Sequence, residues 1–255
     1  DPAAVFTLIG FMSCLAFLPV CMMDFSRPSH KRGLEQEKEF WRAWKNALST
    51  VMSNSRLWLA GALEMLVYLV TYSIKAFLPL YALFTADFNL LTVGLFFTVQ
   101  ETAHLVMRPI GGRFGDRVGY LAAINTGYLV LVVGLSLLPY ATAHVELLAI
   151  AVVIGAGQGL IFPSTVAFVS RCVDTRHLGA GLGFLGAVRN FGKVAGPLTA
   201  GALLTRMDYS QVFHLGGAIA LLVVLTLFLL QKNYLEWIFS RTKLTNASED
   251  EAILR

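Results

Sequence analysis

The chain has 255 residues, of which 56% are hydrophobic and 14% are charged. Soluble domains typically carry about 25% charged residues, so this composition excludes an ordinary soluble domain and predicts an all-α polytopic membrane protein. The formal charge of +4 is therefore no sign of nucleic-acid binding, because what matters is where the basic residues lie relative to the membrane spans.

Seven stretches are apolar over the roughly 20 residues needed to cross ~30 Å of hydrocarbon. If they alternate in direction, fifteen of the 20 Lys and Arg residues fall on one side, one (Arg206) falls on the other, and four lie inside spans. The positive-inside rule then predicts a cytoplasmic C-terminus. The predicted spans are residues 3–23, 57–84, 90–110, 120–140, 147–170, 179–204 and 212–231.

The segments outside the spans are a loop at 24–56 and a tail at 232–255. In the loop, Phe40, Trp41, Trp44 and Leu48 recur at helical spacing, which predicts a helix lying on the cytoplasmic membrane surface. The chain begins with Asp1 and Pro2 and shows no signal-peptide pattern, so we expect a further segment upstream. Cys14, Cys21 and Cys172 have no metal-ligand spacing, and we interpret them as small apolar side chains.

The stretch 105–119 reads LVMRPIGGRFGDRVG. It predicts a helix that weakens at Arg108 and Pro109 and ends in a short charged turn at the lipid surface. The alternatives are that this turn is a generic positive-inside loop, or that its acidic residue caps the following helix. The positions that carry a family pattern are Gly112, Asp116, Arg117 and Gly119.

These four residues match the cytoplasmic signature of the major facilitator superfamily of transporters, which lies between the second and third helices of each half. The usual pair of basic residues is replaced by Tyr120 and Leu121. The resemblance implies that 1–23 is the last helix of an N-terminal half, that 24–56 is the central loop, and that 57–231 is the six-helix C-terminal domain. It also implies alternating access, a cytoplasmic gate at Asp116 and Arg117, and a cavity completed by the other half or by a second copy.

Glycine and proline are concentrated in two spans. One contains Gly155, Gly157, Gly159 and Pro163, where close helix packing and helix bending are both possible. The other spells G-x-x-x-G-P-x-x-x-G and resembles the glycine-proline motif of drug/proton antiporters in the same superfamily. Its residues are Gly192, Gly196, Pro197 and Gly201.

Ionisable residues inside spans are costly, so each should face a cavity or a partner. Glu64 and Lys75 share a helix face but lie about 16 Å apart along the axis, too far to pair. Two lysines precede a proline by four positions (Pro79 and Pro197), where the helix leaves a backbone carbonyl without its donor. Glu64 and Arg108, near span ends, can instead be snorkelling or structural. The predicted proton and substrate pathway comprises Glu101, His104, Lys75, Arg189, Lys193, Asn190, Glu64 and Arg108.

Together with these residues, the resemblance to drug/proton antiporters implies proton-coupled export of small organic molecules from the cell. Glu101 is the first candidate proton carrier, because burial and a nearby cation act in opposite directions on a carboxyl, and His104 is the second. The alternatives are proton-linked passage of an anionic metabolite or sugar, a receptor or structural bundle, and, more remotely, an intramembrane protease using Ser136 and His214. We expect no cofactor besides the proton gradient, and the plasma or inner membrane as location.

Overall fold

The computed structural model describes residues 51–230 and positions 7, 10, 11, 13, 14, 45 and 49. The chain divides into two compact units, Asp1–Lys45 and Asn46–Arg255, and residues 51–230 belong to the second unit. Most of the predicted first span, most of the predicted surface helix and the whole predicted tail lie outside the described residues. Within 51–230 every long element is an α-helix, and this part of the chain contains no strand.

Six long helices form the described unit, one at each predicted span from residue 57 onward. Two short 3-10 helices, Leu138–Tyr140 and Thr175–His177, lie between the third and fourth and between the fourth and fifth long helices. The long helices are α1 (Ser55–Phe84), α2 (Leu90–Val118), α3 (Tyr120–Leu137), α4 (His144–Cys172), α5 (Leu178–Leu204) and α6 (Tyr209–Leu230).

Five of these helices are long and apolar enough to cross a membrane. The exception is α5, whose 27 residues are sufficient in length but include Arg189, Asn190 and Lys193 in their middle. The prediction of an all-α polytopic membrane protein is confirmed. These polar side chains make the middle of α5 less apolar than the other five long helices.

The helix ends are satisfied by nearby side chains. Asn54 accepts a hydrogen bond from the Arg56 backbone N–H at 3.1 Å, and its amide donates to the Cys172 carbonyl at 2.9 Å. At the start of α2, Asn89 accepts from the Thr92 backbone at 2.8 Å. These contacts cap the orphan N–H groups of two helices. The hydrogen bond from the Asn54 amide to the Cys172 carbonyl also holds the start of α1 against the end of α4.

α4 is the central helix of the unit and packs against α1, α2, α3 and α5. Its glycines allow this close approach. A Cβ built at Gly157 would lie 2.8 Å from the Gly127 carbonyl of α3, and one at Gly159 would lie 2.8 Å from the His104 carbonyl of α2. Gly155 likewise faces the Gln100 carbonyl. The glycine run is therefore a packing surface, which was one of the two interpretations of its sequence.

The prediction of a loop at Gly112, Asp116 and Arg117 is wrong. α2 continues through Pro109 and ends only at Val118, and Gly119, with φ +95°, is the single residue that separates it from α3. An unbroken helix satisfies backbone groups that a loop would leave without partners in an apolar medium. Gly111, next to the motif, allows close packing, since a Cβ there would lie 2.5 Å from the Gly159 carbonyl of α4.

Candidate transport site

A buried ion pair joins α1 to α5. Arg189 Nε donates to Glu64 Oε2 at 3.1 Å, and the Thr165 hydroxyl of α4 donates to the other oxygen of the same carboxylate. Glu64 has 0% of its surface exposed. The interpretation that Glu64 snorkels to the surface is therefore wrong. Its carboxylate is held by partners from two other helices, as a buried charge requires.

A second ionic cluster joins α1 to α2. Lys75 Nζ lies 2.6 Å from Glu101 Oε1, and His104 Nδ1 lies 3.4 Å from Glu101 Oε2. On the other side of the imidazole, Arg108 Nε donates to His104 Nε2 at 3.4 Å. Glu101 thus pairs with Lys75 rather than with Arg108. Glu64 and Lys75, predicted to share a face without pairing, each find a partner on another helix.

Aromatic rings connect the two clusters. Phe162 lies under two guanidinium groups, that of Arg108 at 4.7 Å and that of Arg189 at 4.6 Å from the ring centroid. Tyr68 lies under Arg189 at 5.4 Å and under Lys193 Nζ at 5.2 Å. Tyr72 lies under Lys193 at 5.5 Å and under Lys75 at 5.0 Å. We call this arrangement the cation–aromatic belt, and its members in order are Arg108, Phe162, Arg189, Tyr68, Lys193, Tyr72 and Lys75.

The belt draws its side chains from four helices. Tyr68, Tyr72 and Lys75 come from α1, Arg108 from α2, Phe162 from α4, and the remaining two cations from α5. Each cation–π contact contributes about 0.5–1 kcal/mol when exposed and about 2 kcal/mol when desolvated. Such contacts stabilise a cation without neutralising its charge, so the belt stays strongly positive wherever no carboxylate is present.

The charge of the belt is unbalanced. Its four cations face two carboxylates, and these are taken by Arg189 and by Lys75. In the described part of the chain, Arg108 and Lys193 have no carboxylate within ion-pair distance. Arg108 still donates to His104, whereas Lys193 makes no hydrogen bond to any described residue and has only the two tyrosine rings beside it.

Neutral polar side chains form a separate contact beside the belt. Gln100 donates to Gln158 at 3.1 Å, and Gln158 donates to the Thr71 hydroxyl at 2.8 Å. This chain joins α2, α4 and α1 through groups that are all buried.

Asn190, a predicted pathway residue, is exposed on α5. The structure therefore brings together seven of the eight predicted pathway residues and leaves Asn190 outside the contacts just described.

The predicted gate motif lies at the end of α2. Tyr120 donates to Asp116 Oδ1 at 2.9 Å, and the Arg171 guanidinium lies 5.1 Å from the centroid of the Tyr120 ring. Asp116 therefore binds the first side chain of α3, but no side chain caps the start of that helix, so the alternative that Asp116 caps it is wrong. Arg117 is exposed.

The prolines predicted to bend helices lie inside α1, α4 and α5, which continue through Pro79, Pro163 and Pro197. On α5 the glycine-proline motif faces α1. A Cβ at Gly192 would lie 2.5 Å from the Met65 carbonyl, and the Ser73 hydroxyl donates to the Gly196 carbonyl at 2.9 Å. The motif thus forms a close helix–helix contact beside Lys193.

Several site residues escaped the sequence analysis, namely Tyr68, Tyr72, Phe162, Thr165 and Gln158. Tyr68 and Tyr72 could have been identified from the sequence. They share one helix face with Glu64 and Lys75, at spacings of four, four and three residues. A face with charges at both ends and tyrosines between them indicates a cation-lined wall. Phe162 and Thr165 had no such signal, since their role depends on how α4 packs.

The remote protease alternative gains no support from the geometry. His214 packs its ring against Tyr140, with centroids 5.5 Å apart. In the described part of the chain Ser136 and His214 share no hydrogen bond, and a serine without a base within reach is a weak nucleophile.

The fold and composition define an integral membrane protein, with charged side chains clustered inside its helical bundle. The profile of the Major Facilitator Superfamily matches residues 65–248, and the chain belongs to this family. Among similar proteins, an uncharacterized MFS-type transporter of Mycobacterium tuberculosis (Rv1250) is 31% identical over 128 residues, which are 48% of this chain and 21% of that protein. The quinolone resistance protein NorA of Staphylococcus aureus is 20% identical over 158 residues, which are 61% of this chain and 40% of that protein. In both comparisons the matched region is less than half of the relative's length.

Proposed function

We propose that this protein is a proton-coupled secondary transporter that moves small organic molecules by alternating access, with export as its leading direction. The observation that carries the proposal is the ion pair between Lys75 and Glu101, which joins α1 to α2 at 2.6 Å. Addition of a proton to Glu101 removes one of the two charges and so releases the contact between the helices. Binding of a proton thus loosens the contact between α1 and α2, which form part of the wall of the proposed cavity.

Glu101 suits this role better than Glu64. The Glu101 side chain is 49% exposed, while that of Glu64 is 0% exposed. A proton carrier must meet water at some point of its cycle, whereas a carboxylate held on all sides by α4 and α5 acts as a fixed support. His104 lies between Glu101 and Arg108 and is the second group that can pass a proton.

The remaining parts of the proposal follow from the family. A six-helix bundle forms one wall of a transport cavity, and we propose that a second bundle faces the belt, either from the same polypeptide or from a second copy. Asp116 and Arg117 then form the cytoplasmic gate, with the C-terminus also on the cytoplasmic side of a cell membrane. The excess of basic residues in the loops of that side supports the orientation.

Export is supported by the name of the staphylococcal relative, which assigns that protein to quinolone resistance. The glycine-proline motif of α5, with its close contact to α1 at Gly192 and Gly196, supports the same class. A second candidate function is proton-linked passage of an organic anion, and one specific observation favours it. The belt holds two cations, Arg108 and Lys193, for which the described residues offer no carboxylate.

Transport by Glu101→Gln in proteoliposomes tests the proton role. Ethidium, a lipophilic cation without an acidic group, is the probe for export, and benzenesulfonate is the probe for passage of an organic anion. Because the amide mimics a permanently protonated carboxyl, we expect exchange of probe down its own gradient to persist and accumulation driven by a pH gradient to disappear. Full pH-driven accumulation by a well-folded Glu101→Gln protein contradicts the proposal and leaves His104 as the next residue to test.

The matched control is Asp87→Asn, which also converts a carboxylate to an amide. Asp87 is exposed between α1 and α2 and has a positive φ of 56°, a conformation that asparagine tolerates well. This variant should retain pH-driven accumulation. A loss in both variants indicates a general effect of the substitution rather than a role for Glu101.

A further inference from the structure

Lys193 is a cation in an unusual setting. It lies in the middle of α5 and is half-buried, and its ammonium group has three donors. Among the described residues these donors have only the faces of Tyr68 and Tyr72, at 5.2 Å and 5.5 Å. A ring face stabilises a cation but accepts no strong hydrogen bond. Lys193 therefore retains its full capacity to bind an anion.

The neighbours of Lys193 keep it in place and leave it uncompensated. Gly192 and Gly196, on either side of it, pack against the backbone of α1, so the stem of the lysine is fixed to a close helix contact. The nearest carboxylate in the belt, Glu64, is taken by Arg189 and Thr165. The next one, Glu101, is taken by Lys75. Neither carboxylate lies within ion-pair distance of Lys193, and the attraction between Glu64 and Lys193 acts across a longer gap.

Arg108 repeats the pattern at the other end of the belt. Its guanidinium lies on Phe162 at 4.7 Å and uses Nε and one terminal nitrogen toward His104. The described residues supply no carboxylate for it either. Two cations without counter-ions on one wall of an apolar bundle raise the energy of the empty site, and an anion entering the cavity lowers it.

We propose that the belt is the binding site for an organic anion, with Lys193 as the primary contact for its negatively charged group and Arg108 as the second cation that the anion meets along the wall. The ligand class is a small organic acid carrying a carboxylate or sulfonate. This inference rests on the second candidate function, proton-linked passage of an organic anion, and assigns the binding site for that anion.

The test is ligand-induced stabilisation of the purified full-length protein in detergent, read as a shift in its apparent melting temperature. A ligand that binds only the folded state raises that temperature by mass action. The probes are benzenesulfonate, which stays anionic at all accessible pH values, benzyltrimethylammonium, which stays cationic, and neutral benzenesulfonamide. We expect stabilisation by benzenesulfonate at concentrations at which the other two have no effect.

Variants then assign the effect to Lys193. Lys193→Gln should weaken benzenesulfonate binding at least tenfold, and Lys193→Arg should restore most of it, because the positive charge is kept. Arg206→Gln is the matched control, since it removes one positive charge from an exposed position outside the belt. It should bind benzenesulfonate as the wild type does.

Three results overturn the inference. The first is absence of stabilisation of the wild-type protein by benzenesulfonate. The second is equal binding by Lys193→Gln and wild type, and the third is preferential stabilisation by benzyltrimethylammonium. If ethidium is still accumulated through Glu101 in any of these cases, the transport function stands and only the anion site is wrong. If neither probe is transported while benzenesulfonate still binds through Lys193, the anion site stands and the transport proposal fails.

Discussion

Glu64 and Arg189 form an ion pair between α1 and α5, with 3.1 Å between Glu64 Oε2 and Arg189 Nε, although Glu64 has no exposed surface. Removing one partner of a buried pair leaves the other charge uncompensated, which costs about 3–5 kcal/mol. We therefore expect Glu64→Leu and Arg189→Met each to lower the stability of the purified protein by this amount. The double variant should recover most of the loss, because both charges are then gone.

Thermal unfolding in detergent measures the effect, and Arg206→Met, at an exposed position outside the belt, serves as the control. If the destabilisation of the double variant equals the sum of the losses of the two single variants, the two side chains act independently, contrary to the finding of a pair.

The glycines of α5 give a prediction with controls on the same helix. A Cβ at Gly192 would lie 2.5 Å from the Met65 carbonyl, whereas nothing lies within 4 Å of a Cβ at Gly183 or Gly186. We expect Gly192→Ala to destabilise the protein by about 1–3 kcal/mol, as overpacking of a close contact does. Gly183→Ala and Gly186→Ala should be neutral or slightly stabilising, because alanine favours the helix. Equal melting temperatures for all three variants contradict the close packing of α1 and α5.

The two candidate functions predict opposite effects of proton binding on the affinity for the substrate. Protonation of Glu101 frees Lys75 from its 2.6 Å ion pair and adds one positive charge to the belt. Benzenesulfonate should therefore bind more tightly at low pH, with proton and anion binding together and moving in the same direction. Export by exchange with protons requires the reverse.

Titration of benzenesulfonate affinity between pH 5 and pH 8 decides between them. In Glu101→Gln the affinity should be high and nearly independent of pH, apart from the contribution of His104. A pH dependence that persists unchanged in this variant assigns the coupling to His104 instead.

Membrane orientation is tested with single cysteines in a background without Cys14, Cys21 and Cys172. Thr175, between α4 and α5, and Thr85, between α1 and α2, are both exposed. Each follows the C-terminal end of its helix, and the start of α1 packs against the end of α4, so the two threonines lie at opposite ends of the bundle. We propose from the distribution of basic residues that the Thr175 end is cytoplasmic. In intact cells we expect Thr85→Cys to react with an impermeant maleimide and Thr175→Cys to be protected. The reverse pattern inverts the proposed topology.

The helices of this protein were predictable from sequence because apolar length is a strong signal. The spans predicted from residue 57 onward each coincide with a helix, even where α1, α4 and α5 contain prolines. The end of α2 was not predictable in this way. Gly112, Asp116 and Gly119 have the composition of a turn, but the close contact of Gly111 with α4 and the demand for satisfied backbone groups favour a helix.

The sequence identified the charged residues of the candidate site but not which of them form ion pairs with each other. Depth in the span singled out Glu101, Lys75 and Arg189 as ionisable residues that need partners, and the structure provides those partners. The choice of partner depends on which helices touch, and helical spacing along one element holds no information on that. Glu101 therefore appeared to belong with Arg108 on its own helix, while its contact is Lys75 on α1.

The single residue between α2 and α3 has a mechanical consequence. Gly119 leaves no slack between the two helices, and α2 itself is continuous from Leu90 to Val118. Asp116 lies fifteen positions after Glu101, about 22 Å along the same helix axis. Glu101 and Asp116 therefore lie on one continuous helix, with Pro109 between them, and Gly119 joins the end of that helix directly to α3. We expect a displacement of the Asp116 end of α2 to be passed along this helix to the contact between Glu101 and Lys75.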